Sequence, residues 1–137
     1  MIEDLIAKAR QALATARRDL DSGDPNACAN RCYYACFYAA WAMFAAHGLP
    51  KPKTHSGLIA EFSKQFVKDG PLDRDTGSTR GKLENLRSYA DYTLENTPAD
   101  KSALALVSAE TFVRTVERVV KEDRSTHEED AEPPSDG

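Results

Sequence analysis

Residues 32–46 read CYYACFYAAWAMFAA: fifteen positions with no charge, no amide, no glycine and no proline. A helix that is apolar all round is buried all round, in a protein core or in lipid. Crossing a bilayer takes about 20 apolar residues. This run is shorter and follows Asn26, Asn30 and Arg31. Its alanines and tyrosines favour close packing by several neighbours. We read it as the central helix of a bundle, with one face given to a second subunit. Asp24-Pro25 opens it, an Asp N-cap followed by proline in the first turn. His47-Gly48-Leu49-Pro50 ends it, with glycine in the left-handed position and proline barring continuation.

Outward from this helix, apolar residues recur at helical spacing. Upstream, Ile2, Leu5, Ile6, Ala9, Leu13, Ala16 and Leu20 form one stripe that stops at Asp21-Ser22-Gly23. Downstream, Thr54 or Ser56 caps a third helix carrying Leu58, Ile59, Phe62, Phe66 and Val67, which ends at Gly70-Pro71. The stretch PLDRDTGSTRG (71–81) reads as a polar loop. A fourth helix then runs from about Thr79 to about Glu95, with Leu83, Leu86, Tyr89 and Ala90 on its apolar face. Thr97-Pro98-Ala99-Asp100 approximates a capping box. The fifth helix turns Leu106, Val113, Val116, Val119 and Val120 inward. No segment alternates as a strand. The expected fold is all-α: an antiparallel bundle of about five helices over residues 1–121, followed by an acidic, disordered tail over 122–137.

The chain has 137 residues, a length that suits one domain and excludes a TIM barrel. Three cysteines do not close a disulfide framework, so a reducing, cytoplasmic location is expected. The start, MIEDLIAKARQ, is not expected to be a signal peptide, and no membrane association is expected. The net charge of −4 is uneven. From Lys121 onward seven acids face two bases, so residues 1–120 carry +1, and residues 51–87 carry +3. The folded body therefore does not exclude an anionic ligand.

Few residues carry chemistry by spacing alone. Cys28, Cys32 and Cys36 stack on one helix face, but no second ligand pair exists, so they read as buried thiols. No metal site and no cofactor are expected. The aromatic belt Tyr33, Tyr34, Phe37, Tyr38, Trp41 and Phe44 reads mainly as core, with some tyrosines reaching an interface or a cleft edge. His127 lies in the acidic tail, and His47 reads as a helix-end cap. KPKTHSG (51–57) sets Lys53, Thr54, His55 and Ser56 at a helix start, which fits either an anion site or a plain capping turn. In LRSYADYT (86–93), Arg87 and Asp91 share a helix face, which fits a surface ion pair or an arginine oriented for a phosphate. There is no Walker loop, GxGxxG, HExxH or serine nucleophile elbow.

Three stretches together, RCYYACFYAAWAMFAAHG (31–48), KTHSGLIAEFSKQFVKDG (53–70) and LRSYADYT (86–93), resemble the signature segments of a prokaryotic HEPN-domain family. The resemblance covers about residues 2–120. It implies a helical bundle that forms a homodimer, belonging to a toxin–antitoxin or defence module. It further implies a minimal nucleotidyltransferase as partner and RNA or nucleotide as ligand at the dimer cleft. Ribonuclease members of the family carry Arg, four to six residues, then His. Arg87 matches the Arg, but the His positions hold Tyr92, Thr93 and Leu94, so any metal-independent ribonuclease activity is expected to be weak or degenerate. By this resemblance the catalytic candidates are Arg87, Asp91, Tyr92 and His55. The ligand-binding candidates are Lys53, Thr54, His55, Ser56 and Arg87. Tyr92, and second Tyr89, are the candidates for modification by the nucleotidyltransferase. The alternatives are a non-catalytic helical adaptor or a nucleotide-binding partner of that enzyme.

Overall fold

A computed structural model of the chain describes residues 1–67, 74–92 and 98–131, with side chains described throughout except at 55, 56, 59, 74–77, 88–92 and 123–131. Among these residues the chain forms five α-helices and no strand: α1 (Ile2–Asp21), α2 (Pro25–Ala46), α3 (His55–Phe62), α4 (Arg74–Tyr92) and α5 (Ala99–Ala131). A π-helical turn, Ser63–Val67, extends α3. The all-α bundle expected from periodicity is the observed fold.

Helix α2 is central because it packs on every other helix, most extensively on α1 and α5. Cys28, Cys32, Ala35, Cys36, Ala39, Ala40 and Ala42 are fully buried, and small side chains at these positions let α1 and α5 approach closely. The α1 stripe meets α2 through Leu5, Ile6, Ala9, Ala12 and Ala16, all buried. Asp24 Oδ1 accepts the Ala27 N–H at 3.1 Å, so the expected cap is made. Gly23 and Gly48 take φ of 88° and 68°, the left-handed turns that end α1 and α2 without a Cβ clash. His47 closes α2, its Nδ1 2.9 Å from the Met43 carbonyl oxygen.

Phe44, Phe62, Phe66 and Phe112 form an aromatic knot that ties α2, α3 and α5 together, with ring centroids 5.2–6.5 Å apart. The π-helical turn starts one residue after Phe62, and both Phe62 and Phe66 remain buried. At the other end Ser102, fully buried, donates to the Pro25 carbonyl at 2.7 Å and accepts the Cys28 thiol at 3.8 Å. That pair of contacts fixes the start of α5 against the start of α2.

Two boundaries differ from the sequence reading. Helix α4 begins at Arg74, so most of the stretch read as a polar loop is helical. Helix α5 continues to Ala131, past the expected domain edge at residue 121. Residues 121–131 contain no glycine or proline, and the i,i+4 pair Arg118–Glu122 at 3.7 Å supports the helix at residue 122.

Arg10 on α1 pairs with Glu117 on α5. The Arg10 hydrogen bond holds the Glu117 carboxyl below the usual carboxylate range. A depressed folded-state value means that the stabilisation is present above the unfolded pKa of about 4.3 and is lost as pH falls through the folded value. Arg10 is 59% exposed, so solvent screening keeps the pair small. Glu117→Gln should therefore cost about 0.5–1 kcal/mol at pH 7 in urea melts, and the difference from wild type should shrink as pH falls from the unfolded value through the folded one. A difference that stays constant with pH would show that packing, not charge, accounts for it.

Candidate anion site on the α2–α4 face

The cationic side chains converge on the rings of α2. Tyr33 and Tyr34 meet edge to face, centroids 5.4 Å apart at 81°. Arg87, half-buried on α4, places its guanidinium carbon 4.8 Å from the Tyr33 centroid and 5.6 Å from that of Tyr34. Arg31 lies over Tyr34 at 5.0 Å, and its guanidinium donates to Asn30 Oδ1. Arg80 lies 5.9 Å from the Tyr33 centroid and is only 1% exposed. Positions 80 and 87 are two helical turns apart, so both arginines face the same side of α4. Burial pushes the Tyr33 phenol above its ordinary value, although Arg80 and Arg87 draw it back. Tyr33 is therefore neutral at pH 7 and offers the cations its ring face.

Further along α2, Lys51 sits over Trp41 at 4.7 Å and over Phe37 at 5.5 Å, and Lys8 over Tyr38 at 5.8 Å. Tyr34, Phe37, Tyr38 and Trp41 are half-buried, so the helix that reads as apolar all round keeps one partly open aromatic stripe edged by cations. Basic groups interleaved with aromatic rings suit a polyanion whose bases can stack.

Arg87 thus lies against the Tyr33 and Tyr34 rings of α2. The side chains of Asp91, Tyr92, Tyr89, His55 and Ser56 lie outside the described residues, although the backbone at all five is helical. Helix α3 and its π-helical turn pack on α4, so the helix start at residue 55 and the face of Arg87 belong to neighbouring elements. Thr54 serves as the α3 cap: its Oγ1 accepts the Gly57 N–H at 3.0 Å. A Cβ at residue 57 would come within 2.8 Å of that oxygen, which accounts for the glycine. Lys53 is exposed, and Lys51 turns instead to Trp41.

The cysteines are buried thiols. Cys36 is pushed up to about 12 by burial, and Cys32 is raised by its hydrogen bond with Cys28 and by burial. Among the described residues no three His, Cys, Asp or Glu side chains gather as metal ligands. No helix among them is long and apolar enough to cross a membrane. A groove of about 420 Å³ between α4 and α5 is lined by Lys82, Leu83, Leu86, Lys101 and Leu104, among others, and by none of the expected site residues.

Arg80 is the residue that the sequence reading missed. Its signal was the seven-residue spacing to Arg87, which is visible only once residue 80 is inside the helix rather than near its start.

The sequence is similar to those of several known proteins. A protein from Methanocaldococcus jannaschii named "Putative toxin MJ0605" is 31% identical over 121 residues, covering 88% of this chain and 90% of its own. A "UPF0332 protein" from Thermotoga maritima is 30% identical over 123 residues, covering 89% and 92%. Another from Archaeoglobus fulgidus is 30% identical over 124 residues, covering 90% and 98%. The family model described as HEPN domain matches residues 2–124, and with the helix order and the Arg87 segment in place, the chain belongs to the HEPN-domain family.

Proposed function

We propose that this chain is the HEPN subunit of a toxin–antitoxin or defence module and that it binds RNA or nucleotide through the arginine–tyrosine face of α2 and α4. The observation that carries the reading is the convergence of Arg31, Arg80 and Arg87 on the Tyr33–Tyr34 pair. Two similar proteins from Methanocaldococcus jannaschii carry the name "Putative toxin", which supports the same module class. A homodimer, formed along the open stripe of α2, brings two such faces into one cleft. A minimal nucleotidyltransferase is the partner that fits this module, with Tyr92 and then Tyr89 as the residues it would modify. The location that fits is the cytoplasm.

Cleavage of RNA without a metal needs one group to take the 2′-hydroxyl proton and another to stabilise the charge at phosphorus. Arg87 suits the second role. No histidine occupies the family's position for the first, and a tyrosine with an ordinary pKa of about 10 is a poor base at neutral pH. Binding with weak or no turnover follows.

Fluorescence anisotropy with a labelled single-stranded RNA tests the reading. Wild type should bind, and Arg87→Ala should bind roughly tenfold to hundredfold more weakly, the range expected for a lost charge-assisted contact. Equal affinity in both, or none in either, would remove Arg87 from the site. Incubating the same RNA with both proteins reads any residual cleavage.

A further inference from the structure

Arg80 poses a physical problem that the fold does not answer. Its guanidinium has five donors in a rigid fork. It is 1% exposed, and among the described residues none of its three nitrogens has a hydrogen-bond acceptor. Removing a charge from water without an acceptor is among the costliest arrangements in a protein. Its near neighbours do not supply one. Tyr33 faces it with its ring, and its phenol favours the charge without completing a hydrogen bond; the Cys36 thiol stays protonated, and Glu84, one turn along α4, favours the charge through space. An apolar side chain of similar volume would pack there at lower cost. Arg87 adds a second cation to the same ring, which compounds the repulsion. Two guanidinium groups on one helix face, one of them without a hydrogen-bonded acceptor among the described residues, describe a site suited to an anion that arrives from outside.

We infer that Arg80 is the inner arm of a phosphate clamp whose outer arm is Arg87, both resting on the ring of Tyr33, and that it takes a phosphate of RNA or of a free nucleotide. This deepens the binding reading above and rests on it. Phosphate suits the clamp because its oxygens accept two forks at once, whereas a single carboxylate is matched by one. The nitrogens of Arg80 are shut from solvent, so the surrounding side chains must part for entry. Half-buried Arg87 is the arm that solvent reaches first.

Calorimetric titration of the full chain with sodium pyrophosphate, a short single-stranded RNA and ATP, each against wild type, Arg80→Met, Arg80→Lys and Arg87→Ala, tests the clamp. Pyrophosphate should bind wild type, and Arg80→Met should weaken it roughly tenfold to hundredfold. Arg80→Lys keeps the charge but loses the fork, and should fall between the two. Whichever of RNA and ATP loses affinity in parallel with pyrophosphate names the source of the phosphate. Without ligand, Arg80→Met should melt at or above wild type, because it removes an unmatched charge; an arginine kept only for structure would melt lower on replacement. Should Arg80→Met fail to fold, Arg80→Lys decides: weakened binding supports the clamp and unchanged binding overturns it. Wild-type affinity in both Arg80 variants, with loss in Arg87→Ala, overturns the inner arm and leaves the binding reading standing. No binding of any of the three probes by wild type overturns both. A weakened dimer in Arg80→Met with pyrophosphate affinity unchanged would assign the acceptor to a second copy's carboxylate and overturn the clamp.

Discussion

Phe62→Ala should lower the unfolding free energy by about 3–5 kcal/mol, the usual cost of emptying a phenylalanine site that cannot collapse. The ring is 1% exposed and touches Phe44 from α2, Phe66 from the π-helical turn and Phe112 from α5. Those three rings are themselves buried and held by separate helices, so none can swing inward without giving up its own contacts. Marginal stability makes this a large loss, since whole domains are stable by only about 5–15 kcal/mol. Phe62→Leu retains most of the apolar volume but loses the edge-to-face contacts, and should cost about 1–1.5 kcal/mol. Urea melts of the three proteins read the difference directly. A loss below about 1 kcal/mol in Phe62→Ala would mean that α3 is not clamped by this knot.

Helix α3 is also where the legible and illegible parts of the sequence meet. The apolar spacing of Leu58, Phe62 and Phe66 predicts a buried face, and all three are buried. Thr54 is one of the two caps that composition allows, and it accepts the Gly57 N–H. The change to a π-helical turn at Ser63 leaves no such mark, because SKQFV fits an ordinary helix as well as a widened one. Helix α2 was readable at both ends: Asp24 caps it, His47 closes it and Gly48 turns the chain, each through a local rule that needs no tertiary partner. Helix α4 was misread at its start because Asp75, Gly77 and Ser78 have low helix propensity, and contacts with α2 and α5 override so weak a preference. That error hid Arg80. An arginine beside a glycine in a polar stretch reads as solvated, and only the packing of α4 on Tyr33 brings it inside. Arg87 was legible through its motif, and its guanidinium lies on the Tyr33 ring. Asp91, Tyr92 and His55 were legible in the same way, but their side chains fall outside the described residues.

Trp41→Asp should convert the proposed dimer into a monomer, with a dissociation constant raised by at least about thirtyfold, the scale of a central tryptophan in an interface. Within its own chain Trp41 is half-buried, stacking edgewise on Phe37 at 6.2 Å under the Lys51 ammonium, so the monomer should lose less stability than in Phe62→Ala. Lys51→Ala separates the ring from its cation: it should cost about 0.5–1 kcal/mol of cation–π attraction and leave the ring free to pack. Salt supplies a second handle. A two-fold interface centred on the stripe brings Lys8, Arg31 and Lys51 of each copy toward their equivalents, so screening should strengthen the dimer as salt rises. RNA lying along the same stripe would respond with the opposite sign, because releasing counterions favours binding only at low salt. Sedimentation at two salt concentrations therefore distinguishes the occupants. A wild-type chain that stays monomeric at micromolar concentration, and whose RNA affinity falls with salt and vanishes in Trp41→Asp, would assign the stripe to nucleic acid and end the dimer proposal.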